Sequence, residues 1–242
     1  VESVKALFAE NPDEIACVIV EPVAANMGVV EPSKDFLASL RKICTDNKAL
    51  LIFDEVITGF RLKFDGAAGY FGIKPDLVTY GKIIGGGMPV GAYGGRKEIM
   101  EMAAPVGKVY QAGTLSGNPI AMRAGFTQLK ILYENPEIYD KLANMGEYFR
   151  NGMKAILKNH NMPYQVNGIG SLSCLYFTEN EVTDYKTAAT SDTVKFADYF
   201  TYMIDHGNYL GPSQFEACFL SAAHTKDQID KTLGDMDVFF SK

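Results

Sequence analysis

Three short apolar runs near the start of the chain restrict it to a small number of architectures. Residues 15–20, 49–53 and 77–80 are predicted strands, and the β-branched first run is typical of a strand buried on both faces. A helix is predicted over residues 33–47, with Ser33 as its N-cap. Strand, helix and strand in succession predict an α/β fold with a parallel sheet, to which residues 92–94 add a fourth strand.

A charged side chain follows each of the first three predicted strands. Glu21 and Asp54 come directly after the first two strands, and Lys82 comes shortly after the third. In open parallel sheets, ligands bind at the carboxyl ends of the strands. The sequence therefore predicts that Glu21, Asp54 and Lys82 share one site.

Lys82 stands before three consecutive glycines, in the segment TYGKIIGGGMPVG. This order differs from a phosphate-binding P-loop, in which the glycines precede the lysine. A lysine held in an apolar pocket loses its proton readily and can form a Schiff base, and a carboxylate on the pyridinium nitrogen is its usual partner when the cofactor is pyridoxal phosphate (PLP). Lys82 and Asp54 thus indicate a PLP site. The residues alone also allow Lys82 to be a solvated loop residue and Asp54 an ordinary strand end.

Composition excludes several other classes of protein. The 242 residues are 47% hydrophobic and 21% charged, with a net charge of −6 and no basic run, so nucleic acid is not an expected partner. No stretch approaches the roughly 20 apolar residues of a membrane span. The four cysteines and three histidines show no metal-type spacing. We expect no metal, four reduced and mostly buried thiols, and a cytoplasmic location.

The second half of the chain has a different pattern. Helices are predicted over residues 120–133, 138–159, 193–205 and 225–240, with short strands at 165–166 and 171–177. The apolar stripe of the 138–159 helix is interpreted as packing. We place a domain boundary near residue 130, which gives domains 1–130 and 131–242.

Four stretches carry a resemblance to a known family. The motifs VEP at 20–22, FDEVITGFR at 53–61, GKIIGGG at 81–87 and GTLSGNP at 113–119 resemble the class III PLP-dependent aminotransferases. Residues 24–28, 66–72, 110–114 and 211–216 are similar to the aminomutase branch of that family. The resemblance covers nearly the whole chain and is densest from Val20 to Pro119. It implies fold type I, with part of the large parallel-sheet domain followed by a small C-terminal α+β domain.

The resemblance also implies roles for five residues of the first domain. Lys82 matches the Schiff-base lysine, and Asp54 matches the carboxylate on the pyridine nitrogen. Val56 matches an apolar residue behind the ring, and Glu21 a polar residue close to the cofactor. Thr114 matches a residue that reaches the cofactor phosphate of a partner subunit, which implies a homodimer with shared active sites. Without the family, Val56 would be interpreted as core packing and Thr114 as a turn hydroxyl.

Two further matches concern cofactor and substrate selection. Asn26, expected near the cofactor, stands where ω-aminotransferases carry a glutamate that pairs with a gating arginine. Glu216 matches a carboxylate that the aminomutase branch has near its substrate amines. Both residues could instead be solvated loop positions.

The implied activity is an exchange of amines within one molecule, from glutamate 1-semialdehyde to 5-aminolevulinate, a tetrapyrrole precursor. Two alternatives stay open: another class III ω-aminotransferase, which would need a keto acid, and a non-catalytic remnant. The family carries a further N-terminal part with a phosphate loop, a ring-stacking aromatic residue and a substrate-binding arginine, and this chain begins after it. We therefore expect missing strands, exposed strand edges and doubtful activity of the chain by itself.

Overall fold

The structure, a computed structural model, describes residues 1–242 and divides into two compact units. The first contains residues 1–22 and 32–136, and the second contains residues 23–31 and 137–242. The division after Pro136 comes six residues beyond the boundary predicted near residue 130, at the end of an unbroken helix that contains residue 130. The assignment of residues 23–31 to the second unit had no signal in the sequence pattern.

A four-stranded sheet forms the centre of the first unit, in the order β1-β2-β3-β4. Its strands are β1 (Cys17–Val20), β2 (Leu50–Asp54), β3 (Leu77–Tyr80) and β4 (Ala92–Gly95). The first three strands run parallel, whereas β4 is antiparallel to β3. The sheet is therefore mixed and not wholly parallel. The link from β3 to β4 is too short for the crossover of a dozen or more residues that a parallel pair requires.

Strand β1 differs from its prediction as a strand buried on both faces. It lies at the edge of the sheet, where Val18 and Val20 pack against the core while Cys17 and Ile19 point to the other, exposed face. Ile19 is 60% exposed. An apolar run marks a strand, but it does not reveal which faces the rest of the chain covers.

The helices of the first unit are α1 (Glu2–Glu10), α2 (Phe36–Asp46), α3 (Gly66–Phe71), α4 (Lys97–Met100) and α5 (Pro119–Glu134). Phe8 of α1 and Leu40 of α2 pack with Leu51 and Phe53 of β2 in one apolar core. Helix α2 begins later than predicted. Ser33 is not its N-cap, because the Ser33 carbonyl accepts the Phe36 N–H in a turn that precedes the helix.

A buried carboxylate ties the amino ends of β2 and β3 together. Asp76 accepts the Leu51 N–H at 2.7 Å, Arg41 at 2.7 Å and Arg96 at 3.0 Å. Burial acts to raise the pKa of this carboxyl, but the Leu51 N–H and the two guanidinium groups outweigh it and hold the pKa below its usual value. Since the folded-state pKa is depressed, the stabilisation is present above the unfolded-state pKa of about 4 and is lost as the pH falls through the folded value.

Asp76→Asn should therefore make the free energy of unfolding less dependent on pH in the acidic range. We expect the substitution to lower the free energy of unfolding by about 2 kcal/mol at pH 6, and the difference from the parent to shrink below pH 4. Urea unfolding followed by circular dichroism at several pH values measures it. Asp46→Asn removes an exposed pair with Lys42 and serves as the control. A difference that stays constant with pH would contradict this role for Asp76.

The second unit has a three-stranded antiparallel sheet in the order β5-β6-β7, packed with helices. Its elements are α6 (Glu137–Asn159), β5 (Gln165–Asn167), β6 (Leu172–Tyr176), α7 (Tyr185–Ala188), α8 (Thr193–Asp205), β7 (Cys218–Phe219) and α9 (Lys226–Phe240). Phe149 of the predicted α6 stripe packs with Phe177, Tyr199 and Phe240 in its core. Central strand β6 is buried along its whole length.

All four cysteines are free thiols, of which Cys44 and Cys174 are buried, Cys218 is half-buried and Cys17 is exposed. None of the helices is both long and apolar enough to cross a bilayer.

Candidate active site

The carboxyl ends of three neighbouring strands bring charged side chains to one edge of the first unit's sheet. Strands β1, β2 and β3 are parallel, so their carboxyl ends share that edge. Glu21 follows β1, Asp54 is the last residue of β2, and Lys82 comes two residues after β3. The parallel pairing thus gives these three residues the common edge that their positions in the sequence predicted.

The Asp54 carboxylate is held at one oxygen only. Its Oδ1 accepts the Val56 N–H at 3.1 Å and the Thr79 hydroxyl at 3.2 Å. Thr79 is the register partner of Asp54 on β3, so the sheet pairing itself supplies this donor. The Oδ2 atom has no hydrogen bond from the chain. A carboxylate fixed in this way can still accept a hydrogen bond from a bound molecule at Oδ2.

Lys82 opens a 3₁₀ turn, Lys82–Gly85, with its own backbone in the left-handed region at φ 50°. A residue with a Cβ pays roughly 1 kcal/mol or more for that conformation, and such strain is most often found at functional positions. The side chain of Lys82 is exposed, while Ile84 and Gly85 are buried. The expected apolar setting therefore belongs to the turn, and the chain does not enclose the Lys82 side chain in an apolar pocket.

The turn is held in place by close packing on helix α5. A Cβ added at Gly125 would lie 2.1 Å from the carbonyl oxygen of Ile84, so only a glycine allows this approach. Ile84 is buried at this contact. The position of Lys82 is thus fixed through the turn that it begins.

Val56 connects the end of β2 to the lysine segment. It is half-buried, and its Cγ1 lies 3.2 Å from where a Cβ at Gly81 would be. Gly81 is the residue before Lys82. Val56 therefore presents an apolar side chain beside the backbone that leads into the lysine, between the strand ends that carry Asp54 and Lys82.

A buried glutamate next to Asp54 was missed as an individual residue by sequence reasoning. Glu55 is fully buried and accepts the N–H groups of Ala67 at 2.5 Å and Ala68 at 3.0 Å and the Thr58 hydroxyl at 3.1 Å. Burial raises the pKa of its carboxyl, and these donors offset part of that rise. Glu55 thereby anchors the segment after β2 to the start of α3. An acidic residue inside an apolar run was the available signal.

Thr114 belongs to a loop and not to a strand end. It lies in an exposed stretch between α4 and α5, and no hydrogen bond joins it to Asp54 or Lys82. Large apolar side chains of this stretch and of α5 are also exposed, among them Val106 at 76%, Tyr110 at 84% and Ile120 at 69%. This part of the first unit therefore leaves several large apolar side chains open to solvent.

The other two predicted site residues belong to the second unit. Asn26 and Glu216 are both exposed, on separate loops of that unit. The Gly28 N–H donates to the Phe215 carbonyl at 2.7 Å, so the two loops are joined next to the predicted residues. The structure therefore brings Asn26 and Glu216 onto adjoining loops, although they are far apart in the sequence.

Known proteins resemble this chain in sequence and in fold. Residues 1–237 match the family "Aminotransferase class-III". The chain is 62% identical to "Glutamate-1-semialdehyde 2,1-aminomutase 2" of Lachnoclostridium phytofermentans, over 96% of this chain and 54% of that protein. The crystal structure of a β-phenylalanine aminotransferase from Variovorax paradoxus is 34% identical, with a TM-score of 0.92 over 99% of this chain and 55% of that one. A transaminase with PLP bound is 26% identical, with a TM-score of 0.86 over the same shares.

The chain belongs to the class III aminotransferase family, and its fold is the α/β fold of that family. The resemblance and the fold class inferred from the motifs are thus confirmed. The chain spans about half the length of the curated relatives it matches.

Proposed function

We propose that this chain is the lysine-bearing part of a PLP-dependent aminomutase, an isomerase that converts glutamate 1-semialdehyde to 5-aminolevulinate. The observation that carries the proposal is the common sheet edge of Asp54 and Lys82, with one carboxylate oxygen of Asp54 left for a bound molecule. The 62% identity to a protein with that name supports this reaction over others of the family.

The residues at the sheet edge fit PLP by their chemistry. Lys82 offers a primary amine on an exposed side chain, which can hold the cofactor covalently, and Asp54 offers an anionic oxygen to a protonated ring nitrogen. Val56 supplies an apolar side chain beside Gly81, the residue before Lys82. PLP, when bound, withdraws electrons from the substrate carbon that bears the amine.

The chain's own groups then orient the reactants and move protons. Lys82 would remove and return protons at the amine-bearing substrate carbon in both halves of the exchange, as a general base and acid, a role for which an amine on a fixed turn is suited. Asp54, held in position by the Val56 N–H and the Thr79 hydroxyl, would accept a hydrogen bond from the protonated ring nitrogen. Glu21 follows β1 at the same edge, where it would lie close to the cofactor. In this proposal Glu216 would hold the substrate amines, and Asn26 replaces the glutamate that pairs with a gating arginine in ω-aminotransferases.

We also propose that the active protein is a homodimer with shared sites in the cytoplasm. Tyr110 and Ile120 leave large apolar side chains exposed, and exposed apolar surface is typical of protein–protein interfaces. A second copy on this surface would bring Thr114 to the partner's cofactor phosphate. Four free thiols suit a reducing compartment.

A donor-free assay tests the reaction. We would assay the chain alone and fused to the amino-terminal part of the L. phytofermentans relative, in each case after loading with the aminated cofactor. With glutamate 1-semialdehyde and no amino donor or keto acid, we expect the fused protein to form 5-aminolevulinate through many turnovers. The amino-terminal part alone is the control, because it lacks Lys82.

The alternatives give other results. A fused protein that transaminates only after a keto acid is added would be an ω-aminotransferase, the class to which the V. paradoxus neighbour points. A folded fused protein that shows no cofactor absorbance band and no turnover would be a non-catalytic remnant. Either outcome would overturn the aminomutase proposal.

A further inference from the structure

The loop that carries Asn26 is closed at its base by backbone hydrogen bonds and is held by a buried side chain. Ala24 and Val30 exchange two backbone hydrogen bonds, of 3.1 and 2.9 Å, which close residues 24–30 into a short hairpin-like loop. We call residues 24–30 the asparagine loop. Asn26 lies near its tip, and Val29 and Val30 at its base are buried.

One tyrosine hydroxyl makes two hydrogen bonds to the backbone of this loop. Tyr176, fully buried on β6, accepts the Val29 N–H at 2.7 Å and donates to the Met27 carbonyl at 2.8 Å. Burial raises the pKa of this hydroxyl, so it stays protonated and can make both bonds at neutral pH. The hydroxyl therefore spans the turn at Gly28 from within.

Glycine is the only residue type that fits at position 28. Its φ is +83°, and an added Cβ would lie 2.1 Å from the Tyr176 hydroxyl oxygen. Both facts exclude a larger side chain without movement of the loop or the ring. The turn of the asparagine loop and the tyrosine ring are thus fitted to each other.

The loop that carries Glu216 is anchored to the same part of the chain. Gln214 is buried, and its side chain donates to the Leu175 carbonyl at 2.7 Å and accepts the Phe177 N–H at 3.2 Å. These are the residues on either side of Tyr176. The Gly28–Phe215 hydrogen bond then joins the two loops directly. Residues 175–177 are therefore the common support of Asn26 and Glu216.

We infer that Tyr176 is a positioning residue that sets the spacing between Asn26 and Glu216, and so the fit of the substrate between them. The inference rests on the proposed function, since it concerns how that substrate is held. Tyr176 itself is buried and does not reach the exposed side chains, so its effect passes through the loop backbone. The groups it spaces would meet a small substrate with a carboxylate and neighbouring amine and carbonyl groups.

The experiment combines hydrogen exchange with kinetics in Tyr176→Phe, which keeps the ring and removes only the hydroxyl. Gly28→Ala disturbs the same contact from the loop side. Tyr199→Phe is the matched control, because Tyr199 is also buried in this unit but its ring packs against Phe239 and Phe240 of helix α9. In the chain itself, we expect peptides covering residues 24–31 to exchange about tenfold faster in both test variants and unchanged in the control.

In the fused enzyme, we expect KM for glutamate 1-semialdehyde to rise about tenfold in both test variants, with bound PLP per chain unchanged. A merely structural defect would lower the active fraction and kcat while leaving KM as it was. A KM equal to that of Tyr199→Phe in an active enzyme would overturn the positioning role. Unchanged exchange over residues 24–31 would overturn it even if the enzyme proved to act on another substrate, so the two proposals fail separately.

Discussion

Replacement of Lys82 by alanine should abolish turnover of glutamate 1-semialdehyde in the fused enzyme, with a fall in kcat of about 10³-fold or more. The expectation follows from two roles of one amine, which holds the cofactor and carries a proton in each half of the reaction. Alanine at a left-handed position costs no more than lysine does, so the turn itself should be retained.

The measurement has a readout that does not depend on activity. Borohydride reduction of the PLP-loaded protein, followed by mass spectrometry, should place the cofactor on the peptide that contains Lys82 and leave it unattached in Lys82→Ala. The control is Lys97→Ala, because the Lys97 side chain is 85% exposed on the surface of the same unit. Labelling of another lysine in the parent would show that Lys82 is not the attachment point.

Gly125→Ala should lower the free energy of unfolding of the first unit by about 3 kcal/mol and weaken PLP binding. A methyl group at this position would meet the Ile84 carbonyl oxygen at 2.1 Å, so helix α5 and the 3₁₀ turn must move apart. Because Lys82 begins that turn, the displacement should reach the lysine. Urea unfolding followed by circular dichroism and titration of the apoprotein with PLP measure the two effects.

Gly234→Ala is the matched control for that substitution. Gly234 also lies in a helix, α9, but an added Cβ there would meet nothing within 4 Å. Helix propensity then dominates, and the change should stabilise the chain by about 0.5–1 kcal/mol. Equal effects of the two substitutions would mean that the contact between α5 and the turn is not as tight as the structure has it.

Strand and helix positions followed closely from the residues. Strand β3 and helix α8 have the predicted bounds, and helices α5, α6 and α9 begin or end within a residue or two of theirs. Periodicity and turn signals are local properties, which is why these predictions succeeded. Short elements such as α3, α4, α7 and β7 were not predicted, since so few residues carry no clear period.

Some residues of the candidate site could also be predicted from the sequence, and others could not. Lys82 and Asp54 could be proposed from the sequence because a charged residue next to an apolar run is visible without coordinates. Tyr176 and Gly125 could not, because each acts through a residue remote in the sequence. The sequence left open whether the Lys82 side chain is exposed, since the glycines and isoleucines beside it describe the turn and not its side chain.

By itself, the sequence determined the family, the alternation of strands and helices, and the charged residues that follow the strands, because these depend on residue type and local order. The tertiary structure decided which strands run parallel, which faces are covered and which loops meet. Strand β4 runs antiparallel to β3, and one face of β1 is exposed. The asparagine loop belongs to the second unit, to which the Tyr176 hydroxyl binds it. Such contacts join residues up to about 150 positions apart, and no local pattern records them.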